Sequence, residues 1–147
     1  MEFKYIDINL LKQTKNIRDY KHSKYFLYES IKDYGFINPI LVDANNNIIC
    51  GNLRYIIAKE LNYKELPCII INELNDKQIK EYKILDNHIT ELSLWNYKDK
   101  KDYIKNNELS LTKYNLPEDY DIEINIDDFF EKEKIERVSI FDLEVQI

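Results

Sequence analysis

Glycine and arginine are scarce in this chain of 147 residues, with two of the first and three of the second, so the position of each says more than usual about backbone and charge. Cysteine and histidine are equally sparse. Cys50 and Cys68 fall in apolar stretches and supply neither a disulfide framework nor the spacing of a zinc site, so both read as small core residues. His22 and His88 are far apart, with no second histidine or cysteine beside either. That pattern gives no metal site, Asp86 near His88 being the closest approach to one. Long apolar runs are missing too: stretches such as Cys68–Ile71 are far shorter than the roughly 20 residues of a membrane-spanning helix. Met1–Asp7 mixes charged and apolar residues without the basic-then-apolar plan of a secretory signal, and a cytoplasmic protein is the expectation. A basic excess is also lacking. The net charge is −6, which excludes a strong, sequence-independent grip on nucleic acid while leaving room for a local basic face. Most of the deficit lies from Glu118 onward, where acids such as Asp121, Asp127, Asp128 and Glu131 outnumber Lys132, Lys134 and Arg137.

What is present suits one folded domain with an appended segment: 44% hydrophobic and 33% charged residues, with no internal repeat. Alternating apolar positions from Phe3 to Leu11 predict a first strand with a turn near Asn9. Ser23 as cap and Gly35 as stop bracket a helix that carries Phe26, Leu27, Ile31 and Tyr34 on one face. Pro39 leads into a strand over Ile40–Asp43. Asn45-Asn46-Asn47 makes a turn because asparagine tolerates positive φ, and Ile48–Cys50 returns as the hairpin partner. A helix over Leu53–Asn62 with Leu53, Ile56, Ile57 and Leu61 buried comes next, then a buried strand over Leu66–Ile71. Asp76 is the expected cap of a long helix whose Ile79, Tyr82, Ile84, Leu85, Ile89, Leu92 and Trp95 face inward. The alternation predicts an α/β fold of the α+β type: a small mixed sheet with packed helices. The compact domain should span residues 1–96. Residues 97–147 then form an acidic C-terminal extension, partly helical over Asn96–Asn107, with Ile126–Ile135 a docking helix or a solvated arm.

Gly51 falls between a buried strand and a helix, with Arg54 on the first helical turn. In such a turn the missing Cβ lets backbone approach a ligand, the helix start offers unpaired N–H groups, and the arginine adds a fork of donors. Phosphate or carboxylate is the natural guest. The plainer alternative is a tight turn followed by a surface arginine. Arg18, in the polar loop Asn16–Asp19, is either a solvated residue or a second cation brought beside the first by folding. Glu29 reads as an exposed helix residue or a catalytic base. Asp86-Asn87-His88 interrupts an apolar helix face, as a polar pocket lining or as a break.

Several blocks resemble, in order, the ParB N-terminal domain of the ParB/sulfiredoxin superfamily, from Phe3 to about Trp95. Asn16-Ile17-Arg18 is similar to the family's Asn-x-Arg loop. Ser30 to Ile40 is similar to its Ser-Ile-x-x-x-Gly-x-x-x-Pro-Ile block, and Gly51-Asn52-Leu53-Arg54 to its Gly-x-x-Arg signature. Asp86-Asn87 falls where the family has an acidic-Asn pair. The resemblance implies a nucleotide pocket in which Gly51, Asn52, Leu53 and Arg54 hold phosphates, with Arg18 and Asn87 completing it. A nucleoside di- or triphosphate with magnesium is the implied cofactor. Chromosome-partition members are similar in using CTP as a switch for clamping DNA. Their Gly-Glu-Arg-Arg, however, is Gly51-Asn52-Leu53-Arg54 here, their arginine after the acidic-Asn pair is replaced around Ile89-Thr90, and a following helix-turn-helix domain has no room. Sulfiredoxins carry the catalytic cysteine directly after the glycine, where this chain has Asn52, so a thiol chemistry is discounted. Short ParB-like domains of phages, plasmids and other mobile elements, some labelled nucleases, also continue as Glu91-Leu92-Ser93-Leu94-Trp95 does.

Three functions follow as expectations. The first is a nucleotide-binding, nucleotide-hydrolysing module in DNA modification, DNA maintenance or mobile-element biology, with DNA or a DNA-modifying protein as partner, no membrane, and room for oligomers. The second is a free-amino-acid kinase of the same fold, with Glu29 or Asp86 taking the substrate's proton. The third is a non-enzymatic interaction module working through the acidic extension.

Overall fold

The computed structural model describes residues 1–21 and 23–114. His22 and everything expected of the acidic run from Glu118 onward, the Ile126–Ile135 segment included, lie outside the described residues. The chain divides into two compact units, Met1–Leu94 and a second beginning at Trp95.

In the first unit the order is β1 (Glu2–Asp7), α1 (Lys24–Tyr34), β2 (Ile40–Val42), β3 (Ile48–Cys50), α2 (Asn52–Glu60), β4 (Glu65–Ile70) and α3 (Asp76–Leu92). The strands form one sheet in the order β1-β4-β2-β3. β1 and β4 are antiparallel with Phe3 opposite Ile69, β2 and β3 form an antiparallel hairpin, and β2 runs parallel to β4 with Ile40 opposite Cys68. A parallel pair needs a crossover, and α2 supplies it. The mixed sheet with packed helices expected from the element order is the fold observed.

Local chemistry sets the boundaries. β1 stops at Asp7, earlier than the alternation to Leu11 implies, because the Asp7 carboxylate accepts from the Asn9 N–H at 2.8 Å and Leu10 N–H bonds Asp7 O at 3.0 Å. The hairpin turn has Asn46 at φ 64. It is fastened by Asp43, whose carboxylate accepts from the backbone N–H of Asn45 and of Asn47 and from the Asn47 side chain. Ser23 precedes α1, yet its hydroxyl makes no capping bond. Gly35 ends that helix at φ 84, ψ −179, a conformation open in practice only to glycine, with its N–H on Ile31 O. Nothing lies within 4 Å of a Cβ built there, so the whole cost of a side chain is backbone strain. Gly35→Ala is expected to destabilise the domain by about 1–3 kcal/mol with an unchanged denaturant slope, measured by urea unfolding.

α2 is the hub of the core. Tyr55 and Ala58 join Ile6, Ile8, Ile40, Val42, Leu66 and Cys68 against the sheet. Leu53 and Ile57 meet Ile31, Leu27 and Tyr28 of α1 in a second cluster. The single stripe expected from Leu53, Ile56, Ile57 and Leu61 is therefore divided between two clusters, Ile56 packing against the first and Leu53, Ile57 and Leu61 belonging to the second. Burial between sheet and α1 is what fixes both ends of the turn that precedes α2.

α3 departs most from expectation. Asn75, not Asp76, caps it: its side chain accepts from the Gln78 N–H while the Gln78 side chain accepts from the Asn75 N–H. The helix runs unbroken through Asp86-Asn87-His88. Of the positions expected inward, Ile79 is half-buried, while Tyr82, Ile84, Leu85, Ile89, Leu92 and Trp95 are exposed, Leu85 by 53% and Leu92 by 66%. α3 packs on β3, and the half-buried residues that follow Ile79 on the helix are Lys83 and Asn87. Apolar spacing located the helix but not the side it buries, because that side carries polar residues.

In the second unit, α4 (Tyr97–Asn106) is capped by Asn96, whose Oδ1 accepts from the Asp99 N–H at 3.2 Å, and a single 3-10 turn covers Thr112–Tyr114. No helix among the described residues is long and apolar enough to cross a membrane.

Candidate functional site

Between the end of β3, the start of α2, the loop after β1 and one side of α3 lies a cleft of about 380 Å³. Arg18, Gly51, Asn52, Leu53, Arg54, Asp86 and Asn87 all line it, so folding brings together every phosphate-site candidate and one of the two candidate bases. Glu29 is not among the lining residues; its carboxylate stands 3.9 Å from Lys32 Nζ, one turn along α1.

The turn is built for close approach. Gly51 caps α2 at φ 109, in the left-handed region, and a Cβ there would stand 3.1 Å from Ile40 Cγ1 and 3.2 Å from Arg54 Nη2. The guanidinium thus lies beside the glycine. Its Nη1 donates to Asn38 O at 2.6 Å and Pro39 O at 2.9 Å, tying the segment before β2 to α2. Arg54 makes no ion pair among the described residues. Burial lowers its pKa from the ordinary arginine value, opposed by Cys50 and Asp86, yet a guanidinium stays charged at neutral pH. Asn52 is 5% exposed, and its Oδ1 accepts from Thr14 N at 3.4 Å, which holds the loop after β1 onto the start of α2.

That loop runs alongside β3 through a bridge between Lys12 and Asn47 before it reaches the cleft. There Asn16 clasps its neighbour, accepting from Arg18 N at 3.2 Å and donating to Arg18 O at 2.6 Å. The Arg18 guanidinium donates to Asn87 Oδ1 at 2.8 Å and stands 3.8 Å from Glu91; Asn87 Nδ2 in turn donates to Lys83 O at 2.6 Å. Asp86 is touched by the Tyr82 hydroxyl at 3.4 Å.

Sequence reasoning missed Lys15, Tyr20, Cys50 and Lys83, which also line the cleft. Four basic side chains, Lys15, Arg18, Arg54 and Lys83, face two carboxylates, Asp19 and Asp86, in a chain whose net charge is −6. The local sign is the reverse of the global one. The Tyr20 hydroxyl is held protonated by burial, against the opposing pull of Arg18 and the Leu53 N–H.

Of the two cysteines expected in the core, Cys68 is there and Cys50 is not. Cys68 is fully buried and its thiol is pushed up to about 11 by burial. Cys50 is half-buried in the cleft wall. Burial raises its pKa and Asp86 adds to that, while Lys83 and Arg54 pull the other way. Because the thiolate is the reactive form, a raised pKa means little of it at neutral pH. Alkylation of Cys50 by iodoacetamide, followed by mass spectrometry, should be slower at pH 7 than for a free thiol and should rise steadily beyond pH 9. Reaction at the rate of free cysteine at pH 7 would contradict this placement.

The comparisons with known proteins agree with this architecture. Residues 2–88 match the ParB N-terminal domain family, and the chain belongs to that family. It is 40% identical over 52 residues to the ParB-like nuclease domain-containing protein YnaK of Escherichia coli (strain K12), a match covering 35% of this chain and 60% of YnaK. Over 40 residues it is 48% identical to an uncharacterized protein of Acidianus two-tailed virus, covering 27% of this chain and 12% of the relative. Both matches span less than two thirds of the relative's length. Among solved structures, the C-terminally truncated chromosome-partitioning protein ParB from Caulobacter crescentus, complexed with CTP-gamma-S, superposes with a TM-score of 0.58 at 20% identity. That match covers 75% of this chain and 67% of the other. The two share a fold.

Proposed function

We propose that the cleft binds a nucleotide through its phosphates and that the chain is a nucleotide-binding, nucleotide-hydrolysing module of the cytoplasm, serving DNA modification, DNA maintenance or a mobile element. The observation that carries this reading is Arg54: a half-buried guanidinium in no ion pair among the described residues, influenced by Asp86 only at longer range and set against a glycine whose missing side chain keeps its Nη2 edge open. A partly desolvated cation with no carboxylate in contact is costly to hold, and an anionic ligand offsets that cost. The surplus of basic side chains and the N–H groups at the start of α2 favour phosphate over an apolar guest. The related fold crystallised with CTP-gamma-S supports a nucleotide as that anion.

In this reading Gly51, Asn52, Leu53 and Arg54 cradle phosphate oxygens, and Arg18, aimed by Asn87 and Glu91, adds a second fork. Magnesium suits such a ligand. No group of three or more His, Cys, Asp or Glu side chains among the described residues forms a metal cage, so the ion would arrive on the phosphates, with Asp86 and Asp19 the carboxylates lining the cleft that could touch it or its water. Asp86 is also the candidate to orient an attacking water, or the hydroxyl of a small acceptor if the phosphoryl group goes elsewhere. Calorimetric titration with ATP, ADP, CTP and GTP in magnesium buffer tests the proposal. One-to-one binding of at least one nucleotide, weakened by added salt, is expected. No heat with any of the four would overturn it.

A further inference from the structure

Lys83 stands where several features meet. It lies on α3 one turn before Asn87, on the side of the helix shared with Asp86 and Thr90, and all of them line the cleft. It also lines a second, more apolar cavity of about 510 Å³ whose walls include Ile48, Ile79 and Ile84. With Lys15, Ile17 and Ile49 it forms the partition between the two. Its Nζ donates to Thr14 Oγ1 at 2.8 Å, and that hydroxyl donates onward to Ile48 O at 2.6 Å. A half-buried ammonium is therefore parked on a neutral hydroxyl, with no ion pair among the described residues. One neutral acceptor satisfies one of three N–H donors and none of the charge. The long flexible stem lets the head group leave Thr14 at little cost.

We propose that Lys83 is a ligand-binding residue of this cleft: its ammonium leaves Thr14 and binds phosphate oxygens of the nucleotide held by the Gly51 turn, a third cation beside Arg54 and Arg18. The inference rests on the cleft being a nucleotide site. In the ligand-free protein the Thr14 bond keeps the cation at the partition instead of letting it collapse onto Asp86. Thr14 is then a resting place, not a requirement for binding.

The test compares CTP and ATP binding by calorimetry in the wild type, Arg54→Ala, Lys83→Met, Lys83→Arg and Thr14→Val, at two ionic strengths, with thermal unfolding as a check on folding. Lys83→Met is expected to weaken binding at least about tenfold, the worth of one hydrogen bond to a charged group, and to reduce its salt sensitivity. Lys83→Arg should restore most of the affinity. Thr14→Val removes the same hydrogen bond but keeps the charge, and should bind at least as tightly as the wild type. Wild-type affinity in Lys83→Met, with binding still lost in Arg54→Ala, would overturn the role of Lys83 and leave the cleft reading standing. Equal weakening in Lys83→Met and Thr14→Val would reduce Lys83 to a structural bond. Absence of binding in the wild type would sink both readings.

Discussion

Arg54→Ala should lower nucleotide affinity about 100-fold or more, the largest effect expected from any single side chain of the cleft. Two charge-assisted hydrogen bonds to phosphate, at about 1.5–3 kcal/mol each, account for that factor at 1.4 kcal/mol per tenfold. The same change also frees Asn38 O and Pro39 O, which Nη1 now holds at 2.6 and 2.9 Å. A loss of roughly 1–3 kcal/mol in folding stability should accompany it, because the part-buried Pro39 O loses its donor along with the exposed Asn38 O. The two losses separate in experiment. Affinity is measured well below the unfolding midpoint, where the variant is still folded, and stability by urea titration without ligand. Arg54→Lys keeps the charge but has no planar fork, so it should recover part of the affinity and little of the bonding to residues 38 and 39. A variant that loses stability and binds as the wild type does would make Arg54 a strut for the segment before β2 and nothing more.

Gly51→Ala is expected to do the greatest damage to the fold, about 2–4 kcal/mol, from two sources that add. An L-residue at φ 109 is strained, and its Cβ would press 3.1 Å from Ile40 Cγ1, a side chain with no exposed surface and no room to retreat. It would also push on Arg54 Nη2 from 3.2 Å, so binding should fall in whatever fraction stays folded. Gly35→Ala serves as a comparison in which only the backbone is strained: its φ 84 and ψ −179 are foreign to other residues, but nothing lies within 4 Å. A lower urea midpoint for Gly51→Ala than for Gly35→Ala is expected, because only the first adds a steric clash to the strain. Equal midpoints would mean that the turn has slack and that Gly51 is needed for its dihedral angles alone.

How much of this was legible in the sequence follows from the kind of signal each feature leaves. The hairpin was readable because Asn45-Asn46-Asn47 can do little but turn, and Asn46 at φ 64 does so. The Gly51 turn stood out because glycine and arginine are rare here, so one of each, three residues apart at a strand-to-helix junction, drew notice, although a plain tight turn with a surface arginine fitted the residues as well. The residues alone left Arg18 and Asn87 each between a site role and a bland one, the resemblance assigned both to the pocket, and their contact, separated by 69 positions, is one that no local pattern announces. α3 was misjudged in its facing. Its apolar residues have helical spacing, but the helix lays Lys83 and Asn87 toward the cleft and leaves Leu85, Ile89 and Leu92 exposed, so the spacing alone could not say which side packs. Lys83 and Lys15 were invisible for the opposite reason: with 21 basic residues, a lysine is ordinary until the fold shows what surrounds it. Cys50 read as core because its neighbours Ile48 and Ile49 are core. The fold places this last residue of the strand half-buried in the wall of the cleft.

The measurement that bears most directly on the central claim is the ¹H–¹⁵N spectrum of the labelled protein during titration with CTP and ATP in magnesium buffer. Phosphates seated on the turn should give their largest shifts at the amides of Gly51, Asn52, Leu53 and Arg54, with smaller ones at Arg18 and Asn87 and none along α4. Shifts concentrated away from the Gly51 turn, or no shifts at millimolar nucleotide, would contradict the account.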